Sequence, residues 1–222
     1  MLLLPVCLAC LGLTPLTAAA ENGASPENSA GAPGAESAAE HPGNAKSGAT
    51  SDTSGADANP QGGPKVLVIY YSYSGNTKIV AERLREKTGG DIYAVETERA
   101  YPEAYRDVTA EAKRELETRD LPALKGAPPD LAPYNLILVG GPVWWYTVPA
   151  PLMKFLEQTD FMGKRVAAFC THGGGPGDYL DDFKTQAKNA VVLSGITLWG
   201  AQAGNRKTGS ILDDWLTKLE RE

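Results

Sequence analysis

Residues 65–222 predict an α/β domain built on a parallel sheet with helices on both faces. Three observations carry this. Apolar runs of strand length alternate with segments whose apolar residues recur at helical spacing. Two of the runs, 66–70 and 136–139, are apolar at every position, as suits strands buried on both faces. Three of the runs end in unusual loops, 72–77, 140–146 and 171–177. In an open α/β sheet the crevice at the strand carboxyl ends is where a ligand sits.

In chain order, 66–70 is the first strand and 78–88 the first helix, stopped by Gly89-Gly90. Residues 91–95 read as the second strand. Tyr101, Tyr105, Val108, Ala112 and Leu116 place an amphipathic helix over 102–118. A proline-containing stretch, 121–133, returns the chain to a third strand over 134–139. Pro149 and Pro151 lead into a short helix over 152–157, since proline is tolerated in a first turn. Residues 164–170 are the fourth strand. Leu180, Phe183, Ala187 and Val191 form the next helical stripe, and 196–199 the fifth strand. Ile211, Leu212, Trp215, Leu216 and Leu219 give the last helix its buried face.

The stretch with the most chemistry is Ser72-Tyr73-Ser74-Gly75-Asn76-Thr77. It joins a buried strand to a helix whose first turn has free N–H groups and a positive dipole end, the parts of an anion site. Gly75 permits close backbone approach, and Ser72, Ser74 and Thr77 add hydroxyls. The loop holds no Arg or Lys, so amides and hydroxyls would do the binding.

The 222 residues do not form one uniform unit. Residues 1–20 are apolar and read as a secretory signal peptide, with Ala18-Ala19-Ala20 as a small-residue cleavage site. Cys10 after Leu8-Ala9 offers lipoprotein processing as the alternative. Either leader places the domain outside the cytoplasm, and membrane contact is expected only through this leader. Residues 21–64, rich in Ala, Gly, Ser and Pro, have almost no large apolar side chains and read as a disordered linker. Within it, residues 44–50 loosely resemble a signal for covalent FMN attachment, with Asn44 where the usual residue is Asp. The linker holds six acids and one base, hence −5 of the chain's −6, leaving −1 for residues 65–222. A domain without basic excess is a poor fit to nucleic acid. No His/Cys cluster has metal-ligand spacing. Cys170 is the domain's one cysteine and reads as a small core residue.

Together these motifs make residues 65–222 resemble the flavodoxin family. Residues 72–77 look like its hydroxyl-rich FMN phosphate loop. Gly141-Pro142-Val143-Trp144-Trp145 looks like the aromatic loop of a short-chain branch with Gly-x-Pro-x-Trp, and Thr171-His172-Gly173-Gly174 fits that branch's glycine loop. The resemblance implies a doubly wound five-stranded sheet of order 2-1-3-4-5 and tightly, noncovalently bound FMN. Ser72, Ser74, Asn76 and Thr77 would take the phosphate, with backbone donors from Tyr73 to Thr77, including Gly75. Trp144 or Trp145 would line or stack on the isoalloxazine, in a loop that also includes Pro142, Val143 and Tyr146. Thr171, His172, Gly173 and Gly174 would meet the pyrimidine edge. The plain alternative for Trp144, Trp145 and Tyr146 is core or interface packing, and for His172 a solvated loop position.

The expected function is extracytoplasmic electron transfer between a redox donor and an acceptor, both unidentified, with no catalytic residue assigned. The alternatives are an FMN-dependent NAD(P)H oxidoreductase acting on a quinone or small molecule, and a flavin-free binding module. Electron-carrier flavodoxins have Trp-Gly where this chain has Trp144-Trp145. Tryptophan resists positive φ, so stabilisation of a half-reduced flavin by a peptide flip is not expected here.

Overall fold

The computed structural model describes residues 65–222. The leader, the linker and the 44–50 segment lie outside the described residues. The elements are β1 (Val66–Tyr70), α1 (Asn76–Thr88), β2 (Asp91–Ala94), α2 (Tyr105–Thr118), β3 (Leu136–Pro142), α3 (Ala150–Gln158), β4 (Arg165–His172), α4 (Tyr179–Gln186), β5 (Val191–Val192), β6 (Ile196–Trp199) and α5 (Arg206–Arg221). All strand pairings are parallel, in the order β2-β1-β3-β4-β5, with β6 also on β4. The sheet therefore has the expected 2-1-3-4-5 order, its fifth position filled by β5 and β6 in turn.

Strand alternation splits the core in two. Leu67, Ile69, Ile137, Val139, Ala168 and Cys170 face one side, where Val108 of α2, Phe155 of α3 and Phe183 of α4 cover them. Val66, Val68, Leu136, Leu138, Ala167 and Phe169 face the other, beneath Leu84 of α1 and Leu212, Trp215 and Leu219 of α5. Burial raises the Cys170 thiol to about 12, so it packs as a neutral apolar group.

The expected fifth strand at 196–199 forms as β6, and a short β5 precedes it on the same edge. Pairing breaks at 194–195, where α5 takes the backbone: the Trp215 indole N–H donates to the Ser194 carbonyl at 2.8 Å, and the Ser194 amide donates to Glu222 at 2.8 Å. Two sequence expectations, on Val191 and on Ile211, are corrected. Val191 does not extend α4. The chain turns at Asn189, with φ 56°, and Val191 lies 52% exposed in β5. On α5 the inward stripe is Thr208, Leu212, Trp215 and Leu219, and Ile211 falls outside it.

Register fixes what meets at the carboxyl edge. Tyr70 pairs with Gly140, Gly140 with Phe169, Pro142 with Thr171, and His172 with Trp199. A Cβ on Gly140 would overlap the Phe169 ring, so glycine here lets β3 and the aromatic side chain of β4 lie flush.

Candidate functional site

Loops 72–77, 142–146 and 171–174 converge at this edge, each tied to its neighbour. The Thr77 and Thr171 hydroxyls are 2.7 Å apart and buried, joining α1 to β4. The Tyr73 and Trp144 rings meet edge to face with centroids 5.8 Å apart. The Val143 amide donates to the Thr171 carbonyl at 2.8 Å.

The first loop is an open cradle. Gly75 precedes α1 with φ 91°, a left-handed conformation that glycine adopts without strain, and no side chain caps the helix. The Gly75 carbonyl accepts from the Ile79 amide at 3.0 Å, which leaves the preceding first-turn amides without intrahelical partners. A Cβ built on Gly75 would meet nothing within 4 Å, so the space above the loop is empty of protein. Asn76 lends its amide to Ser74 Oγ at 3.3 Å. Ser72 Oγ is buried with no hydrogen-bond partner, an orphaned polar atom. The donor set is neutral and suits an oxygen-rich anion.

The second loop is a two-residue hairpin. Trp144 and Thr147 exchange backbone hydrogen bonds of 3.2 and 3.1 Å, and Trp145 and Tyr146 occupy the turn with φ 49° and 65°. Two positive φ values at the centre are the mark of a type I′ turn, which ordinarily takes Asn-Gly. The expectation that Trp145 would avoid positive φ is therefore overturned. Its surroundings impose the conformation: the Trp145 indole N–H donates to the Thr109 carbonyl of α2 at 3.1 Å, and Lys113 Nζ stands 5.4 Å from its ring centroid. On the other flank, the Tyr146 carbonyl accepts from the Asp178 amide at 2.8 Å, and the Thr147 hydroxyl donates to Asp182. Sterically, Gly177 must lack a Cβ because one would overlap Tyr146.

The three aromatics of this loop have different placements. Trp144 is 1% exposed, ringed by Tyr71, Tyr73 and Tyr101 at 5.7, 5.8 and 5.0 Å, with its own N–H unpartnered. Trp145 is half-buried and Tyr146 exposed. Pro142 and Val143 line the root of the loop. A planar ligand arriving at this edge would therefore meet Trp145 and Tyr146 before Trp144.

The third loop leaves β4. Gly173 and Gly174 present exposed backbone, while His172 is 9% exposed, with Nδ1 buried and unpartnered. The expectation of a solvated loop histidine fails, because the β4–β6 register sets the ring against Trp199 at 5.0 Å between centroids. Burial lowers its pKa below the usual imidazole value. Within 72–77, 142–146 and 171–174 there is no Asp, Glu, Lys or Arg, so His172 is the one group there that changes charge near neutrality.

Two residues of this edge escaped the sequence reading. Trp199 is 53% exposed beside His172, and a Cβ on the next residue, Gly200, would crowd Asn76 at 3.1 Å. Strand register could have found both, because a fifth strand parallel to β4 must end next to His172. Among the described residues, no cluster of His, Cys, Asp or Glu could hold a metal ion.

Residues 65–219 match the family model described as flavodoxin. Among solved structures, the chain is similar to an FMN-complexed flavoprotein of Lactobacillus acidophilus, at 26% identity and TM-score 0.56, covering 65% of this chain and 99% of that one. It is also similar to a protein described as a flavoprotein from Bacteroides eggerthii, at 26% identity and TM-score 0.62, covering 71% of this chain and 99% of that one. A third, from Bacteroides uniformis, shares 29% identity at TM-score 0.60, covering 70% of this chain and 99% of that one.

Proposed function

Because the chain belongs to the flavodoxin family, we propose that it binds FMN noncovalently at the 72–77, 142–146 and 171–174 edge and passes electrons outside the cytoplasm. The observation that carries this reading is the cradle at 72–77. Its uncapped helix start, left-handed Gly75, open space and orphaned Ser72 hydroxyl fit a phosphomonoester, whose oxygens accept what the loop donates. When bound, the flavin supplies reversible electron and hydride chemistry.

The chain's own part is binding, orientation and exclusion of water. The amides of 73–77, the hydroxyls of Ser72, Ser74 and Thr77 and the side chain of Asn76 would hold the phosphate. Trp145 and Tyr146 offer a flat apolar wall against the ring. The Gly173 and Gly174 backbone, free of side chains, comes close enough to pair with a polar ring edge. His172 stays neutral at physiological pH, so it adds no charge beside the ring. The apolar leader of residues 1–20 supports the extracytoplasmic setting.

The test is a titration of the full chain with FMN, following flavin fluorescence. Stoichiometric quenching, weakened at least tenfold by Asn76→Ala or Thr77→Ala, is the expected result. A folded protein that leaves FMN fluorescence unchanged overturns the reading. Steady turnover of NAD(P)H with a quinone would replace the carrier role with the reductase role. Cell fractionation of the tagged chain checks the compartment.

A further inference from the structure

Beside the candidate site lies a cavity of about 370 Å³, lined by Glu98, Arg99, Tyr101, Glu111, Arg114 and Glu115 among others. Glu115 stands out in it. The side chain is 2% exposed on the inner face of α2, and it is a carboxylate. Buried carboxylates persist when a partner or a function compensates the desolvation. The partner here is a tyrosine: Tyr101 Oη donates to Glu115 Oε2 at 2.6 Å. Tyr101 in turn meets the Trp144 ring edge to face at 5.0 Å, and Tyr71 packs against both rings. Trp144 is the residue from which the Trp145–Tyr146 turn departs.

We infer that Glu115 is a positioning residue: its carboxylate holds Tyr101, Tyr101 holds Trp144, and proton uptake at Glu115 loosens the aromatic loop of the candidate site. A hydrogen bond to a charged carboxylate is stronger than one to the neutral acid, so the brace is tight when Glu115 is ionised and slack when it is protonated. The charged and titratable groups around Glu115 are Glu111 and Arg114 on its own helix, Glu98, Arg99 and Tyr101 from the segment after β2, Asp120 beyond α2, and Tyr71 after β1. Arg99 is paired with Glu111, and Arg114 with Asp120 at 2.8 Å, so neither is committed to Glu115. Burial, reinforced by Glu111, raises the Glu115 pKa against the lowering by Tyr101, Arg114 and Arg99. The brace therefore slackens at a pH above the ordinary glutamate value of about 4.3.

A purely structural role predicts that stability and loop order move together with pH. The brace predicts that they diverge. A carboxylate with a raised folded-state pKa favours the folded state when protonated, so acidification strengthens the fold at this group while it loosens Trp144.

The effect on FMN rests on the flavin reading; the effect on Trp144 does not. The experiment follows the near-ultraviolet circular dichroism of the FMN-free full chain and its FMN affinity between about pH 4.5 and 8, for a His172→Gln parent, which silences the imidazole beside Trp199, and for Glu115→Gln and Tyr101→Phe made in that parent. In the parent, the tryptophan band should change with one midpoint, and the affinity should carry a component of about fivefold loss on the acid side with that same midpoint, the difference between a charge-assisted and a neutral hydrogen bond, on top of the titration of the FMN phosphate at about pH 6. Glu115→Gln, which keeps an acceptor but cannot titrate, should flatten the band and remove that component of the affinity curve, leaving the phosphate titration alone. Tyr101→Phe should abolish the response of the band and serves if Glu115→Gln does not fold. A band that does not move with pH in the His172→Gln parent, or that moves identically with Tyr101→Phe added, overturns the brace. If FMN fails to bind at any pH, the flavin reading falls and the tryptophan band alone decides the brace.

Discussion

The Thr77 and Thr171 hydroxyls share a buried hydrogen bond of 2.7 Å that joins the first turn of α1 to the penultimate residue of β4. One residue lies in the candidate phosphate loop and the other where a flavin ring edge would meet the sheet. The pair thus sets the spacing between the two ends of the proposed ligand. Thr77→Val keeps the shape and leaves the Thr171 hydroxyl buried alone, which costs about 1 to 3 kcal/mol. Removing both hydroxyls in Thr77→Val/Thr171→Val removes the stranded group, so the double variant should lose less stability than the two single losses combined. Urea melts of the four proteins measure this coupling, and additive losses would refute it.

Two glycines should respond to alanine for opposite reasons. At Gly75 there is room for the methyl, but φ is 91°, so Gly75→Ala meets only the left-handed backbone penalty of about 1 to 2 kcal/mol. At Gly140 the backbone is ordinary and the space is missing, because the methyl would overlap the Phe169 ring. Gly140→Ala should destabilise by about 1 to 3 kcal/mol through overpacking of the sheet centre. If the readings are right, Phe169→Leu rescues Gly140→Ala and does nothing for Gly75→Ala, as thermal melts would record.

The Trp145–Tyr146 turn carries strain that a substitution can release. A bulky side chain at positive φ is an outlier, here held by Thr109, Asp178 and Asp182. Tyr146→Gly fits the second turn position, where φ is 65°. Relief of the backbone penalty outweighs the extra freedom glycine gives the unfolded chain, so stability should rise by up to about 1 kcal/mol. Affinity for FMN should fall in the same variant, since the exposed ring of the proposed wall is gone. A fall in stability would show that the Tyr146 side chain contributes more than its backbone conformation costs.

These contrasts also mark what was legible in the sequence. The layering followed from the alternation of strands and helices, and the split of the core from strand period, because Leu67 and Ile69 must point opposite to Val66 and Val68 wherever a strand forms. The 2-1-3-4-5 order came from the resemblance to the flavodoxin family. The cradle was legible because Gly75 and its hydroxyl neighbours fill a run of six consecutive positions. What failed to show was set by contacts distant in sequence. The turn at Trp145 carries no local signal, since its φ is imposed by α2 and by the loop before α4. Glu115 reads as an ordinary polar helix position until Tyr101 is found against it, 14 residues away. The break at 194–195 depends on Trp215 of α5 and on Glu222 just beyond it. His172 looked like a loop residue because its cover, Trp199, comes from the other strand at the sheet edge.

His172 should impose a pH dependence opposite in sign to that of Glu115. Burial depresses the imidazole pKa in the folded state, so the unfolded chain binds more protons as the pH falls. The stability this residue contributes is present above the ordinary histidine value of about 6.5 and is lost as the pH falls through the lower folded-state value. Glu115 works the other way, its contribution declining as the pH rises through its raised value. His172→Gln should therefore remove the stability lost on the acid side of about pH 6.5, and Glu115→Gln should remove the decline that Glu115 adds as the pH rises through its raised value. The chain has two histidines, His41 and His172, so proton NMR of the imidazole ring resonances can follow each directly, with His172→Gln giving the assignment. A midpoint for His172 at or above 6.5 in the FMN-free protein would mean that its buried Nδ1 is solvated or partnered, and the neutral ring at the candidate site would have to be abandoned.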